Sequence, residues 1–461
     1  MATHQEYQKK VNALLDSWKE EYAAMLTRWI RVPSVKGESA DGAPFGKEVR
    51  EMLDVAMKDC EEMGFATRIF DGYAGDATFG SDDLEPIAVL GHLDVVPVGD
   101  GWRVDPFAAV REGDNILGRG TIDDKGPALA SLFAMRAMKE VGIPLRRSIR
   151  LILGCDEESG WEDMAYYCAH TQMPETGFSP DANFPLINTE KGMLVMFVQA
   201  PLSADGLQVL SLYTGERVNV IPGQSVAVVK GDAQTVQKVE AFAKETGLDY
   251  TARLTDEGVE ITATGIPGHS AYPEGRRNAI GMMLRVLDHL GVEGALKTLA
   301  SAYGQEHDGA SLGIACHDAI SGPLTCNMGI LHLENGKVTA SLDNRCPIDA
   351  DLDALEASIR IHLPGFSVLE VEKKAPHHVP ADSELVTSLL AAYEEETGLK
   401  GEAESTGGGT YAKVLKQGVA FGAAFPDDED LAHQANEFIE LDKMICAAKI
   451  YANALIRLCA E

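Results

Sequence analysis

A chain of 461 residues, 45% of them hydrophobic, exceeds the roughly 250 to 300 residues at which a single core stops growing, which predicts more than one domain. Its 71 acidic residues against 40 basic ones leave a formal charge of −31, a surface that repels phosphate backbones and anionic lipid and so argues against nucleic-acid and membrane partners. The eight cysteines form no CxxC pair and sit mostly in apolar stretches. With no basic-then-apolar leader and no apolar run near the roughly 20 residues of a spanning helix, they predict reduced thiols in a cytoplasmic protein.

In chain order, "YQKKVNALLDSWKEEYAAMLTRWIRV" has apolar residues three and four apart, the spacing of one amphipathic helix that Pro33 ends. "IAVLGHLDVV", "RSIRLILGCDEE" and "PLINTEKGMLVMFV" read as buried strands, with helical "GPALASLFAMRAMKEVG" among them. Strands alternating with helices predict an α/β domain whose mostly parallel sheet is sandwiched by helices. After about residue 196 the segments "GLQVLSLYTG", "QSVAVVKG" and "GVEITATGIPG" alternate as half-exposed antiparallel strands do, and helical "RNAIGMMLRVLDHLG" follows. A strand, helix, strand order returns in "GKVTASLDNRCPI", "DLDALEASIRIHL" and "FSVLEVEKKA". From about 380, "SELVTSLLAAYEEETG", "GVAFGAAF" and the closing helix "IELDKMICAAKIYANALIRLCAE" resume the α/β texture. The expected organisation is a catalytic domain of residues 1–195 and 380–461, interrupted by an α+β lid domain at 196–379.

Ionisable groups cluster where buried strands should end. They are His92 and Asp94 in "GHLD", Asp123 and Asp124 in "GRGTIDDKG", Asp156, Glu157 and Glu158 in "CDEESG", and His433 in "LAHQANE", with Asp181 in "SPDANFP" as a further candidate. Unpaired burial of such groups is costly, so a shared partner is needed, and ligands of α/β sheets collect at the carboxyl ends of strands. A pair of divalent ions meets that need; histidine and carboxylate ligands without cysteine suit zinc, with manganese or cobalt possible. Asp94, two residues from His92 on an extended backbone, can accept from one imidazole nitrogen and leave the other for metal. Adjacent Glu157 and Glu158 point oppositely, so one can bind metal while the other faces a bound water. "HExxH" is absent, which removes one other hydrolase design. The three glycines of "STGGGTYAK", among them Gly408 and Gly409, would let backbone approach a ligand closely.

Taken as a set, "GHLDVVPVGDGW", "GRGTIDDKGP", "DEESGWED", "GHSAYPEGRRNA" and "GGGTYAK" resemble the dinuclear zinc exopeptidases and deacylases, the family of carnosinase, peptidase T and desuccinylase, and within it the bacterial dipeptidases of the peptidase V type. The resemblance implies a metal-dependent dipeptidase in which His92 and Asp181 hold one metal, Glu158 and His433 the other, and Asp123 bridges both. It implies Glu157 as general base, Asp94 as the residue orienting His92, and a cis peptide between Asp123 and Asp124. From the insert it implies His269 as the donor to the oxyanion, with Asn219 and Arg345 holding the substrate; a guanidinium can take the terminal carboxylate in two parallel hydrogen bonds. Lys413 departs from the arginine found in several relatives, which leaves its role open. The other readings are an N-acyl amino acid deacylase with the same site and a non-catalytic acidic binding module. Relatives with short lids borrow the oxyanion histidine from a partner subunit; the longer insert here predicts a monomer.

Overall fold

The computed structural model describes residues 3–461, which form two compact units. The first comprises the residues up to Asn188 with His378–Glu404 and Gly409–Glu461; the second is Thr189–His377 with Ser405–Gly408.

In the first unit the strand Pro86–His92 is buried on both faces. Ile87 and Val89 join one apolar cluster with Ile149, Leu151 and Leu153, while Ala88 and Leu90 join another with Ile152, Met164 and Tyr167. Double burial is what central parallel strands require, and Ser148–Gly154, Pro86–His92, Thr176–Ser179 and Gln417–Ala420 run parallel in that order. The hairpin Ala66–Phe70 and Ala74–Phe79 adds antiparallel strands beyond Ser148–Gly154, and Ile187 pairs antiparallel with Ala420 at the other side. Helices Lys125–Val141 and Leu441–Cys459 pack on one face, and Glu162–His170 on the other. Ala128, Ala130, Ala134 and Ala137 on the first of these helices, with Ala447, Ala448 and Ala452 on the second, are all buried, small enough for close helix packing. Gly142, at φ +73°, caps the end of Lys125–Val141 in the left-handed conformation that favours glycine.

Two segments differ from their sequence reading. The leading amphipathic stretch is two helices, His4–Ser17 and Lys19–Ile30. The break is at Trp18, whose backbone N–H is shared between Leu14 O and Leu15 O and whose ring meets Phe133 edge-on at 6.2 Å. "PLINTEKGMLVMFV" is likewise not one strand of the first sheet. Ile187–Glu190 ends there, and Gly192–Gly206 is a 15-residue strand that pairs through Gly192–Pro201 with Lys337–Cys346 and through Met193–Gln199 with Ser367–Lys374. The division falls at Thr189, not after Val195, since Met193–Gln199 pairs on both sides with strands of the second unit.

The second unit is built on an antiparallel sheet in the order Tyr250–Leu254, Val259–Thr264, Gln224–Val229, Val209–Thr214, Leu331–Glu334, Lys337–Cys346, Gly192–Gly206. Helices Ala233–Thr246, Ala279–His289 and Leu352–His362 contribute Val239, Phe242, Ile280, Met283, Leu287 and Ile359 to its core. The two strand and helix runs of the insert meet where Tyr213 and Thr214 pair with His332 and Leu331.

Candidate metal centre

His92 ends its strand fully buried. Gly91 precedes it of necessity, since a Cβ there would lie 2.8 Å from both Asp124 Oδ2 and Ala128 Cβ. That close approach lets the His92 backbone N–H donate to Asp124 Oδ2 at 3.0 Å. On the ring, Nδ1 lies 2.9 Å from the Asp94 carbonyl, so Nδ1 carries the proton of the neutral ring and Nε2 is left as the candidate ligand atom. Nε2 faces Asp123 Oδ1 at 2.9 Å and Asp181 Oδ2 at 3.6 Å.

The expected part of Asp94 needs correction. It holds the ring through its backbone carbonyl, and its carboxylate stands off at 3.4 Å from Nδ1. That carboxylate instead accepts the backbone N–H groups of Glu157 and Glu158, at 3.1 and 3.2 Å. The turn following Ser148–Gly154 would otherwise bury these donors unpaired, and Asp94 is the acceptor beside them. One aspartate thus fixes the histidine and both glutamates.

Asp123 joins two clusters. Its Oδ1 faces His92, while its Oδ2 lies 3.0 Å from His433 Nε2, which in turn is 3.0 Å from Glu158 Oε2. Potential ligand atoms of His92, Asp123 and Asp181 lie within 4.8 Å of one another, as do those of Asp123, Glu158 and His433. The Asp123–Asp124 peptide is cis. His92, Glu158 and Asp181 follow neighbouring parallel strands at their carboxyl ends, as the sequence reading anticipated.

The electrostatics call for a cation. Burial opposes charge on His92, but Asp123 and Asp94 outweigh it and hold the ring well above its ordinary range. Asp123 and Glu158 push His433 up to about 11. Burial works against ionised Asp123 as well, yet the two imidazoles keep it well below the carboxylate range. Burial, then Asp123, pushes Asp181 up to about 7; burial, then Asp181, raises Glu157. Glu158 Oε1 is buried without a hydrogen-bond partner among the described residues. Carboxylates crowded around two histidines, with an orphaned oxygen and no thiolate, fit oxygen- and nitrogen-ligated divalent ions.

Two further groups, silent in the sequence reading, support the candidate ligands. Glu437, fully buried, accepts Arg119 Nη1 at 2.7 Å and the backbone N–H groups of Gly120 and Ile122 at 3.0 and 2.9 Å. Asp163 accepts the amides of Cys155 and Asp156, at 2.6 and 3.0 Å, and the hydroxyl of Tyr411. The only sequence signal was position: Arg119 lies in the Asp123 motif, Glu437 in that of His433, and Asp163 just beyond the glutamates.

The remaining candidates belong to the second unit, apart from Gly409. Val220 pairs with His269, and Asn219 O accepts the Ser270 N–H at 2.9 Å. Ser270 Oγ donates to Asp343 Oδ2 at 2.5 Å, and Arg345 donates to the same oxygen through Nε and Nη2, at 3.3 and 3.0 Å. Asn219, His269 and Arg345 are thereby tied into one network. The guanidinium differs from expectation: Nε and one N–H of Nη2 serve Asp343, and Nη1 donates to Gly407 O at 2.9 Å. Any carboxylate must meet the ends of Nη1 and Nη2, not the fork that includes Nε. His269 Nδ1 accepts the Ala271 N–H at 3.2 Å, which puts the proton of the neutral ring on Nε2. Close approach requires Gly407, where a Cβ would come 2.6 Å from Ala271 Cβ; at Gly408 the nearest atom is Thr406 Oγ1 at 3.4 Å. Lys413 lies half-buried in the short turn Tyr411–Val414 of the first unit. All eight cysteines are free thiols, and no helix among the described residues is long and apolar enough to cross a membrane.

Residues 88–457 match the model of peptidase family M20/M25/M40. The YtjP protein of Bacillus subtilis (strain 168) is 35% identical over 453 residues, covering 95% of this chain and 97% of that one. The Beta-Ala-Xaa dipeptidase of Lactobacillus delbrueckii subsp. lactis is 34% identical over 429 residues, 90% of each. Among solved structures, the dipeptidase Dug1p of Saccharomyces cerevisiae superposes with a TM-score of 0.63 at 15% identity, over 99% of both chains. Human carnosine dipeptidase 1 does so with 0.61 at 15% identity, over 98% of both. The extent of these matches and a metal-ready cluster at the strand ends place the chain in peptidase family M20/M25/M40, among the metal-dependent hydrolases of peptide bonds.

Proposed function

We propose that the protein is a metal-dependent dipeptidase that cleaves free dipeptides. One observation carries the reading: the two oxygens of Asp123 lie 2.9 and 3.0 Å from ring nitrogens of two different histidines, so this one carboxylate would serve both candidate clusters. In this reading His92, Asp123 and Asp181 hold one ion and Asp123, Glu158 and His433 the other. The ions are zinc, with manganese or cobalt as substitutes. When bound, such ions polarise the scissile carbonyl and acidify water.

The protein side of the reaction then falls to a few groups. Glu157, raised by burial and by Asp181, takes a proton from the attacking water and returns it to the leaving amine. Its amide and that of Glu158 are anchored on Asp94, which fixes the base relative to the ligands. His269, with its proton on Nε2, donates to the developing oxyanion. Arg345 and Asn219 hold the carboxylate end of the substrate, and the backbone at Gly408 and Gly409 lies against it. The enzyme works as a cytoplasmic monomer. Mixing Glu157→Gln chains with His269→Ala chains should restore no activity; recovery would show that the histidine crosses between subunits.

The functional test is a panel of dipeptides, tripeptides and N-acyl amino acids on metal-reconstituted protein. Dipeptides should be the preferred substrates. Cleavage of N-acyl amino acids with equal or greater kcat/KM would replace this reading with a deacylase, and the absence of any hydrolysis would favour a binding module.

A further inference from the structure

Asp123 and His433 are 310 residues apart in the chain, yet their ligand atoms meet at 3.0 Å. The segments carrying them are joined in three ways. Asn115–Leu117 pairs antiparallel with Phe438–Glu440. Gly118 N donates to Glu437 O at 2.9 Å. Between these backbone links and the ligands lies the Arg119–Glu437 ion pair, with side chains 1% and 0% exposed.

The pair does more than neutralise itself. Besides Arg119 and the amides of Gly120 and Ile122, Glu437 receives the Asp123 amide at 3.4 Å. It therefore collects donors along the whole loop that delivers Asp123. Arg119, through Nη2, donates to His433 O at 3.3 Å and to Val98 O at 3.4 Å, and its guanidinium lies over the Trp102 ring, 5.2 Å from the centroid. His433 itself stands at φ +64°, a left-handed conformation unfavourable for a residue with a side chain. A carbonyl bond from Arg119 holds it there.

We infer that Arg119 and Glu437 form a positioning pair that sets the separation of Asp123 and His433 and thereby the affinity of the cluster Asp123, Glu158 and His433 for its ion. Arginine suits the task because its planar fork reaches Glu437, His433 O and Val98 O together, which the single ammonium of lysine cannot reproduce. In the cluster His92, Asp123 and Asp181 the histidine is anchored by Asp94 and Asp124, and this cluster depends on the pair only through Asp123. The two clusters should respond unequally. The inference rests on the reading of these clusters as metal ligands.

The test is stepwise zinc binding to chelator-stripped protein, read by competition with a chromophoric chelator. Thermal unfolding of the stripped protein and a split of kcat from KM accompany it. Arg119→Lys keeps the charge and Glu437→Gln keeps the shape. In either variant one of two ions should bind roughly tenfold or more weakly while the other changes little, and kcat should fall with KM nearly unchanged. Should Glu437→Gln not fold, Arg119→Lys decides alone. Two ions bound with parental affinities, with only the unfolding temperature lowered, would make the pair merely structural and overturn the inference. A parent protein that binds no divalent ion would bring down the site reading, and this inference with it.

Discussion

Asp94→Asn isolates one link in the chain from strand end to Glu157, the proposed base. The substitution keeps the backbone carbonyl that holds His92 Nδ1 at 2.9 Å, so the histidine stays in place. What changes is the carboxylate that receives Glu157 N at 3.1 Å and Glu158 N at 3.2 Å. A carboxamide can accept only one of these; its NH2 group then confronts the other N–H. Replacing a charged hydrogen bond by a neutral one costs about 1 kcal/mol, and leaving a buried amide unpaired costs about 1–3 kcal/mol. The total of about 2–4 kcal/mol corresponds to a roughly 30- to 900-fold drop in kcat/KM if it falls on the ordered turn. The share that falls on folding is read separately as unfolding free energy of the stripped protein. Metal binding should weaken at the cluster that contains Glu158 and persist at the one that contains His92. Unchanged kcat/KM together with unchanged stability would refute the claim that Asp94 acts through the two amides.

Glu157→Gln removes basicity while keeping shape, and turnover should fall by roughly 100-fold or more with metal content unchanged; a normal rate would make Glu157 structural. Because Asp123 and Glu158 hold His433 up to about 11 and His92 is likewise raised, both rings carry protons near neutrality that must leave before they can ligate. Raising the pH from 6 to 8 should therefore strengthen metal binding, with at least one proton released per ion, measured by calorimetry in buffers of different ionisation enthalpy. Binding without proton release would contradict this charge balance. Gly407→Ala forces a Cβ to within 2.6 Å of Ala271 Cβ and should destabilise the protein by about 1–3 kcal/mol in urea unfolding; no change would show that the contact relaxes freely.

The candidate residues His92, Glu158 and Asp181 were legible in the sequence because each lies at or just beyond the end of a buried parallel strand, as with His92 after Ile87–Leu90, whereas Asp123 and His433 follow no such strand and were carried by the resemblance. Periodicity identified most strands and helices for the same reason. Supporting groups were not legible. Arg119 and Glu437 lie 318 positions apart, and a buried carboxylate is spelled like an exposed one in a chain with 71 acidic residues. The role of Asp94 was half right: sequence spacing put it beside His92, but only the fold brings the amides of Glu157 and Glu158 to its oxygens. Arg345 was read as a free fork because Asp343, two residues away on the same strand, carries no mark that it faces the guanidinium rather than solvent. The unit boundary was misplaced because a long strand such as Gly192–Gly206 does not announce which sheet it joins.

The most direct measurement of the central claim is hydrolysis of a free dipeptide by chelator-stripped protein as zinc or manganese is added back. Activity should be absent at the start, rise with added ion and level off near two ions per chain. Asp123→Asn, which weakens the proposed shared ligand, should stay inactive through the same titration. Full dipeptide hydrolysis by protein shown to be metal-free, or parental activity in Asp123→Asn, would contradict the account.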